Sequence, residues 1–222
     1  MSLSLDNSNA LSGFQEQLVS LQEDECQKQV RLLISRGVSL NQIKQTCLLA
    51  LLEISRLYES GHYFLSGLIM AGRITRKITN LLQPPQEPDI FPGRVQLGSV
   101  GRESQGRDKS LFNLVLAAFG FETRDLGQEV TGPAFLASAE MFQPNLVGFF
   151  NITPQSLGRL KEIVSGLKAL RPDGERPYIF LAGRRTVEPM RRKTGADFSL
   201  TSTADILTMC HRLLMNYEPQ PN

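Results

Sequence analysis

The sequence predicts an α/β protein in two parts: an N-terminal helical bundle of the four-helix type, followed by a five-stranded parallel, doubly wound sheet. Three observations carry that expectation. Apolar residues recur three, four or seven positions apart from Phe14 to Leu82, the period of helices with one buried face. A connection with four prolines in eleven residues, QPPQEPDIFPG at 83–93, then ends the pattern, because proline blocks helix continuation and stiffens an extended chain. Beyond it, short apolar runs alternate with helix-periodic segments, which is the pattern of βαβ units joined by right-handed crossovers.

Taken in order, residues 1–13 are polar and are expected to fray. Phe14, Leu18, Leu21, Val30, Leu33 and Ile34 mark one or two helices ending near Gly37. Ser39 can cap the next helix, whose stripe of Ile43, Cys47, Ala50, Leu51 and Ile54 runs to Gly61. A further helix over 63–82 carries Phe64, Leu68, Ile69, Ala71, Ile74, Ile78 and Leu81. Short-linked helices with one apolar face each make a small antiparallel bundle. The expected division is a helical domain at 1–86, a Pro-rich linker at 87–93 and an α/β domain at 94–222.

The α/β part opens with a strand at 95–100, a loop rich in glycine and charge, a helix, and a second strand at 121–126. A helix at 134–142 precedes the apolar strand 146–150, which needs cover on both faces. Next come a helix at 156–170, capped at Thr153 or Ser156, a strand at 178–181, a helix at 187–193, a strand at 198–200 and a helix at 204–214. Ligands of such sheets sit beyond the carboxyl ends of the strands, so the loop 101–109 is the first place to look for function.

Composition narrows the classes. With 222 residues, 41% of them hydrophobic, the chain has enough apolar material for a real core. No apolar run is long enough for a bilayer span, and the N-terminus lacks a basic region followed by an apolar stretch, so a cytoplasmic location is expected. Cys26, Cys47 and Cys210 are too few and too scattered for a disulfide framework or metal knuckle and read as small core residues. The net charge of +2 says little by itself, since a nucleic-acid surface is recognised by clustered and not total charge, and no clear nucleic-acid site is expected. Two local clusters, Arg73 with Arg76 and Lys77, and Arg184 and Arg185 with Arg191, Arg192 and Lys193, read as solvated helix faces in preference to phosphate sites. There is no phosphate-binding G-x-x-x-x-G-K-S/T, H-E-x-x-H, paired-cysteine motif or G-x-S-x-G, and no convergent carboxylate pair, so no enzyme active site is expected.

Two stretches carry a resemblance. LYESGHYFLSGLIMAGRITRKITNLLQP (57–84) is similar to the last helices of the helical cap of corrinoid proteins, and GSVGRESQGRDKSLFNLVLAAFGFETRDLGQEV (98–130) to the start of their cobalamin-binding domain. The family is that of methyl-carrying corrinoid proteins and the cobalamin module of methionine synthase, with light- and redox-responsive regulators among its relatives. The resemblance continues through NLVGFF, IFLAG and GADFSLTSTADIL, and it implies a Rossmann-like, flavodoxin-like sheet under a helical cap.

The ligand motifs implied by that family are altered. Its D-x-H-x-x-G, whose histidine is the lower axial ligand of cobalt, falls on Glu103, Ser104, Gln105, Gly106, Arg107 and Asp108. Gln105 stands at the histidine position, and an amide is a poor substitute for imidazole at such a metal. The S-x-L that lines the tunnel for the nucleotide tail becomes Phe150, Asn151 and Ile152, with Thr153 following. The paired glycines become Ala182 and Gly183, followed by Arg184 and Arg185. Phe150 and Asp108 in place of small residues are expected to narrow or block the tunnel. Phe64 matches the aromatic that covers the upper corrin face, and His62 beside it is a weak candidate for the upper coordination position. His211, in the last helix, reads as a polar surface or cap residue.

Three readings follow. The first is a cobalamin-holding module without a lower protein histidine, working as carrier or sensor, at most the corrinoid-carrying subunit of a methyltransferase system. The second is a diverged regulator that binds another tetrapyrrole or an anion gripped by Arg107, Arg184 and Arg185. The third is a ligand-free interaction module. A methyltransferase or regulatory protein is the implied partner, and the oligomeric state is left open.

Overall fold

The computed structural model describes residues 2–83, 92–101, 107–170, 176–183 and 187–215, without the side chains of 2–5, 107 and 108. The chain forms two compact units. One comprises 1–92, 118–120 and 203–222, and the other 93–117 and 121–202.

The helical unit begins with α1 (Ser2–Val19), α2 (Glu23–Ser35), α3 (Leu40–Glu59) and α4 (Leu65–Leu81). The expected fraying of 1–13 is corrected: Ala10, Phe14 and Leu18 recur at one-turn spacing and are buried, and that packing overrides a polar composition. The turn into α2 is made by Leu21 in the left-handed region, φ 58°. Ser39 caps α3 as expected, its hydroxyl accepting from the Gln42 N–H while the Gln42 side chain accepts from the Ser39 N–H. Cys26, Val30, Leu33, Ile43, Cys47, Ile54, Leu68, Ile74 and Ile78 are all buried. The three cysteines are free and buried, and burial pushes the Cys26 thiol up to about 12, far from nucleophilic use.

Two pieces from later in the chain complete this unit. One is α9 (Thr203–Met215), whose Met215 carbonyl accepts from Lys44 Nζ of α3 at 2.6 Å. The other is the corner 118–120, where Phe119 lies so close to Gly72 of α4 that a Cβ there would stand 2.8 Å from the ring.

The α/β unit holds five parallel strands in the order β2-β1-β3-β4-β5. They are β1 (Arg94–Ser99), β2 (Glu122–Asp125), β3 (Leu146–Phe150), β4 (Tyr178–Ala182) and β5 (Phe198–Leu200). Every residue of β3 is buried, as an apolar run covered on both faces requires. Helices α6 (Gly132–Phe142), α7 (Leu157–Ala169) and α8 (Val187–Thr194) build one face, packing Phe135, Leu160, Ile163 and Val187 with Val147, Phe149, Ile179 and Leu181. A 3-10 turn at Pro154–Ser156 precedes α7. On the other face, α5 (Arg107–Ala118) places Phe112 against Phe180 and Phe150.

Glycine seats one ring on each face. A Cβ on Gly98 would lie 2.5 Å from the Phe135 ring, and one on Gly148 would lie 2.1 Å from Phe180 Cζ, both inside contact distance. Gly148→Ala is therefore expected to displace Phe180 and cost about 1–3 kcal/mol by overpacking, read as a lower urea midpoint at unchanged slope.

Candidate functional site

In an open parallel sheet the ligand crevice lies outside the carboxyl ends of the strands, where the strand order reverses. Here that point falls between β1 and β3. Ser99, the last residue of β1, is fully buried; its N–H donates to Gly127 O at 3.0 Å and its carbonyl accepts from Val130 N–H at 3.0 Å. Asn151 follows β3 in the left-handed region, φ 51°, a conformation asparagine tolerates better than most residues. Its Nδ2 donates to Ser99 Oγ at 3.3 Å, tying the two strand ends together.

The loops meet closely above that link. A Cβ on Gly101 would stand 2.7 Å from the Asn151 carbonyl oxygen, so only glycine admits this approach. Val100 N–H donates to Phe150 O at 3.3 Å, extending the pairing of the two strands into the loop. Below, Phe150 is 3% exposed. Its ring meets Phe112 edge-on at 5.4 Å and Phe180 edge-on at 6.2 Å, while Phe112 and Phe180 stack at 5.0 Å. Phe150 thus belongs to a three-ring cluster filled from α5, β3 and β4. Phe112 and Phe180 were not candidates from the sequence, since nothing in their spacing links residues from three separate elements.

Lys109 was also missed. It follows the altered loop motif and is 5% exposed, with Nζ 3.0 Å from Asp125 Oδ1 and donating to Gly127 O at 2.8 Å. This buried cation pins the start of α5 to the loop after β2. A charge-assisted bond of this kind is strong because water cannot replace it.

The remaining candidates divide. Glu103, Ser104, Gln105, Gly106 and Arg184, with Arg185, lie outside the described residues; Arg107 begins α5, its side chain not described. Ala182 ends β4, and Gly183 follows at φ 157° with its N–H donating to Leu200 O at 3.1 Å. Thr153 caps the turn before α7, its hydroxyl accepting from Ser156 N–H at 3.3 Å. In the helical unit Phe64 precedes α4 and is 77% exposed, and the exposed His62 has Nδ1 2.9 Å from Ser60 Oγ. Arg191 and Arg192 are both engaged by Glu188, Arg191 through two bonds of 2.8 Å, so they anchor α8 locally and are structural in role. Among the described residues no group of three or more His, Cys, Asp or Glu is placed to hold a metal ion, and no helix is long and apolar enough to cross a membrane.

His211 departs from the surface role expected of it. It is 6% exposed in the packing of α9 on α3, with Nε2 2.9 Å from the Lys44 carbonyl. A carbonyl accepts, so Nε2 carries the proton, and Nδ1 is buried without a hydrogen-bond partner among the described residues. Burial lowers its pKa to about 4, helped by the charges of Lys44 and Arg212 and opposed by the Lys44 carbonyl. The folded state thus binds fewer protons than the unfolded chain between the ordinary histidine value and about 4, and stability falls with pH across that window.

Comparison with known proteins places these observations. Residues 11–83 match the family model of the B12 binding domain. Dimethylamine corrinoid protein 1 of Methanosarcina acetivorans is 24% identical over 167 residues, 73% of this chain and 77% of the relative. Dimethylamine corrinoid protein 2 of the same organism is 21% identical over 168 residues, 73% of this chain and 76% of the relative. Among solved structures, a cobalamin-binding protein from Desulfitobacterium hafniense shares the fold with a TM-score of 0.62 and 24% identity, covering 91% of this chain and 98% of that one. The methanol:cobalamin methyltransferase complex of Methanosarcina barkeri follows with a TM-score of 0.52, 15% identity and coverage of 93% and 80%.

From pH 7 to pH 4.5, wild type should lose on the order of 2–3 kcal/mol more stability than His211→Gln, which does not titrate. Urea unfolding of both proteins at the two pH values measures the difference; equal losses would remove His211 as the cause.

Proposed function

We propose that this chain, a relative of the corrinoid proteins, is a module that holds a corrinoid with no protein histidine beneath the cobalt, and that it works as a carrier or sensor without catalytic machinery of its own. What carries this reading is Gln105, where the family resemblance puts the axial histidine, in a chain whose residues 11–83 match the B12 binding domain. The amide of Gln105 offers a weak ligand to cobalt where imidazole would be strong. The bound corrinoid would supply a cobalt centre that takes up and releases a methyl group.

The described residues fit one part of such a ligand and not another. Phe64 presents an exposed aromatic face on the helical unit, suited to cover a flat macrocycle. Gly183, at the carboxyl end of β4, carries no side chain to stand in the way of a ligand there. Phe150, by contrast, which the family resemblance puts at the tunnel for the nucleotide tail, is packed against Phe112 and Phe180, which argues against a buried tail.

As a carrier the module would serve a methyltransferase; as a sensor it would serve a regulatory protein. His62, beside Phe64, suits the sensor role, because a protein ligand above the cobalt would occupy the position that methyl transfer needs. Its three free, buried thiols suit a reducing cytoplasm.

Incubation with hydroxocobalamin followed by gel filtration should leave corrin absorbance with the protein, and a colourless protein would overturn the reading. In the loaded protein Gln105→His should move the spectrum toward histidine-ligated cobalt. An unchanged spectrum would remove Gln105 from beneath the metal.

A further inference from the structure

Resting on the corrinoid reading above, we infer that recognition by this chain ends at the macrocycle: the nucleotide tail stays outside the α/β core, and corrinoids that lack the tail and its base are ligands alongside complete cobalamin. The crevice at the strand-order reversal is where an appended group would enter a sheet of this topology. Three features close it. The Asn151 side chain bridges to Ser99 Oγ across the ends of β3 and β1. The Gly101 backbone sits so near the Asn151 carbonyl that even a methyl group would clash. Beneath both, Phe112, Phe150 and Phe180 form a continuous aromatic block, each ring at most 3% exposed.

The block is held from below as well. Phe180 sits directly on the bare backbone of Gly148, and any Cβ there would collide with its ring. Phe180 therefore has no room to retreat toward the sheet, and the Phe112 ring stacked upon it is backed by α5. A tail could enter only by expelling rings that the sheet surface was cut to receive.

Two consequences separate this ligand class from that of a tail-burying protein. Cobalamin bound here keeps its own base available to the cobalt, since the aromatic block leaves that base no room and Gln105 stands where the resemblance puts the imidazole that would displace it. Affinity comes from the ring and its amide side chains, so removal of the tail costs little.

Titration of the intact protein with hydroxocobalamin and with diaquocobinamide, followed by absorbance, tests this directly. The expected result is a cobinamide Kd no more than about tenfold weaker than that of cobalamin, a gap of about 1.4 kcal/mol at most, with bound cobalamin showing the spectrum of base-coordinated cobalt. A larger preference for cobalamin, or a base-off spectrum on binding, would overturn the inference while leaving a corrinoid module intact. Retention of neither corrinoid would remove the underlying reading, and the inference with it.

Discussion

The packing of Phe180 on Gly148 is the contact on which the α/β unit depends. With no side chain at Gly148, the ring comes down onto the backbone of the neighbouring strand, and Phe112 then stacks over it from α5. Phe150 closes the cluster edge-on. Burial of three phenyl rings contributes about 1.5–3 kcal/mol each, and edge-to-face geometry adds about 0.5–1.5 kcal/mol per pair. The cluster reaches the carboxyl end of β3, whose last residue is Phe150.

The helical unit is organised by a different kind of contact. Its last helix, α9, follows β5 in sequence and packs on α3. Polar groups mark that packing: Lys44 Nζ donates to the Met215 carbonyl, and His211 donates to the Lys44 carbonyl. The first supplies a donor to one of the carbonyls that a helix end leaves without an intrahelical partner. The second leaves a buried imidazole neutral, because charging it would bury an N–H at Nδ1 that has no acceptor among the described residues.

Much of this was legible in the residues. The Ser39 and Gln42 capping box, the apolar run of β3, the alternation of strands and helices and the burial of the cysteines rest on local chemistry, and each was read from a few neighbouring positions. What escaped was every feature made of residues far apart in the chain. The start of α1 at Ser2 is stabilised by packing of Ala10, Phe14 and Leu18, not by propensity. Lys109 closes the loop singled out from the sequence, but its burial could not be read there, because it depends on Asp125 and Gly127 at the end of β2.

Sequence by itself determined the element order and the two-part division of apolar patterns, because periodicity, capping and residue identity are properties of short windows. Only the tertiary structure decided that Phe112, Phe150 and Phe180 meet, that Gly101 and Asn151 close over them, and that His211 is buried. Those outcomes depend on strand order and register, which bring residues dozens of positions apart into contact, and no local pattern encodes that distance.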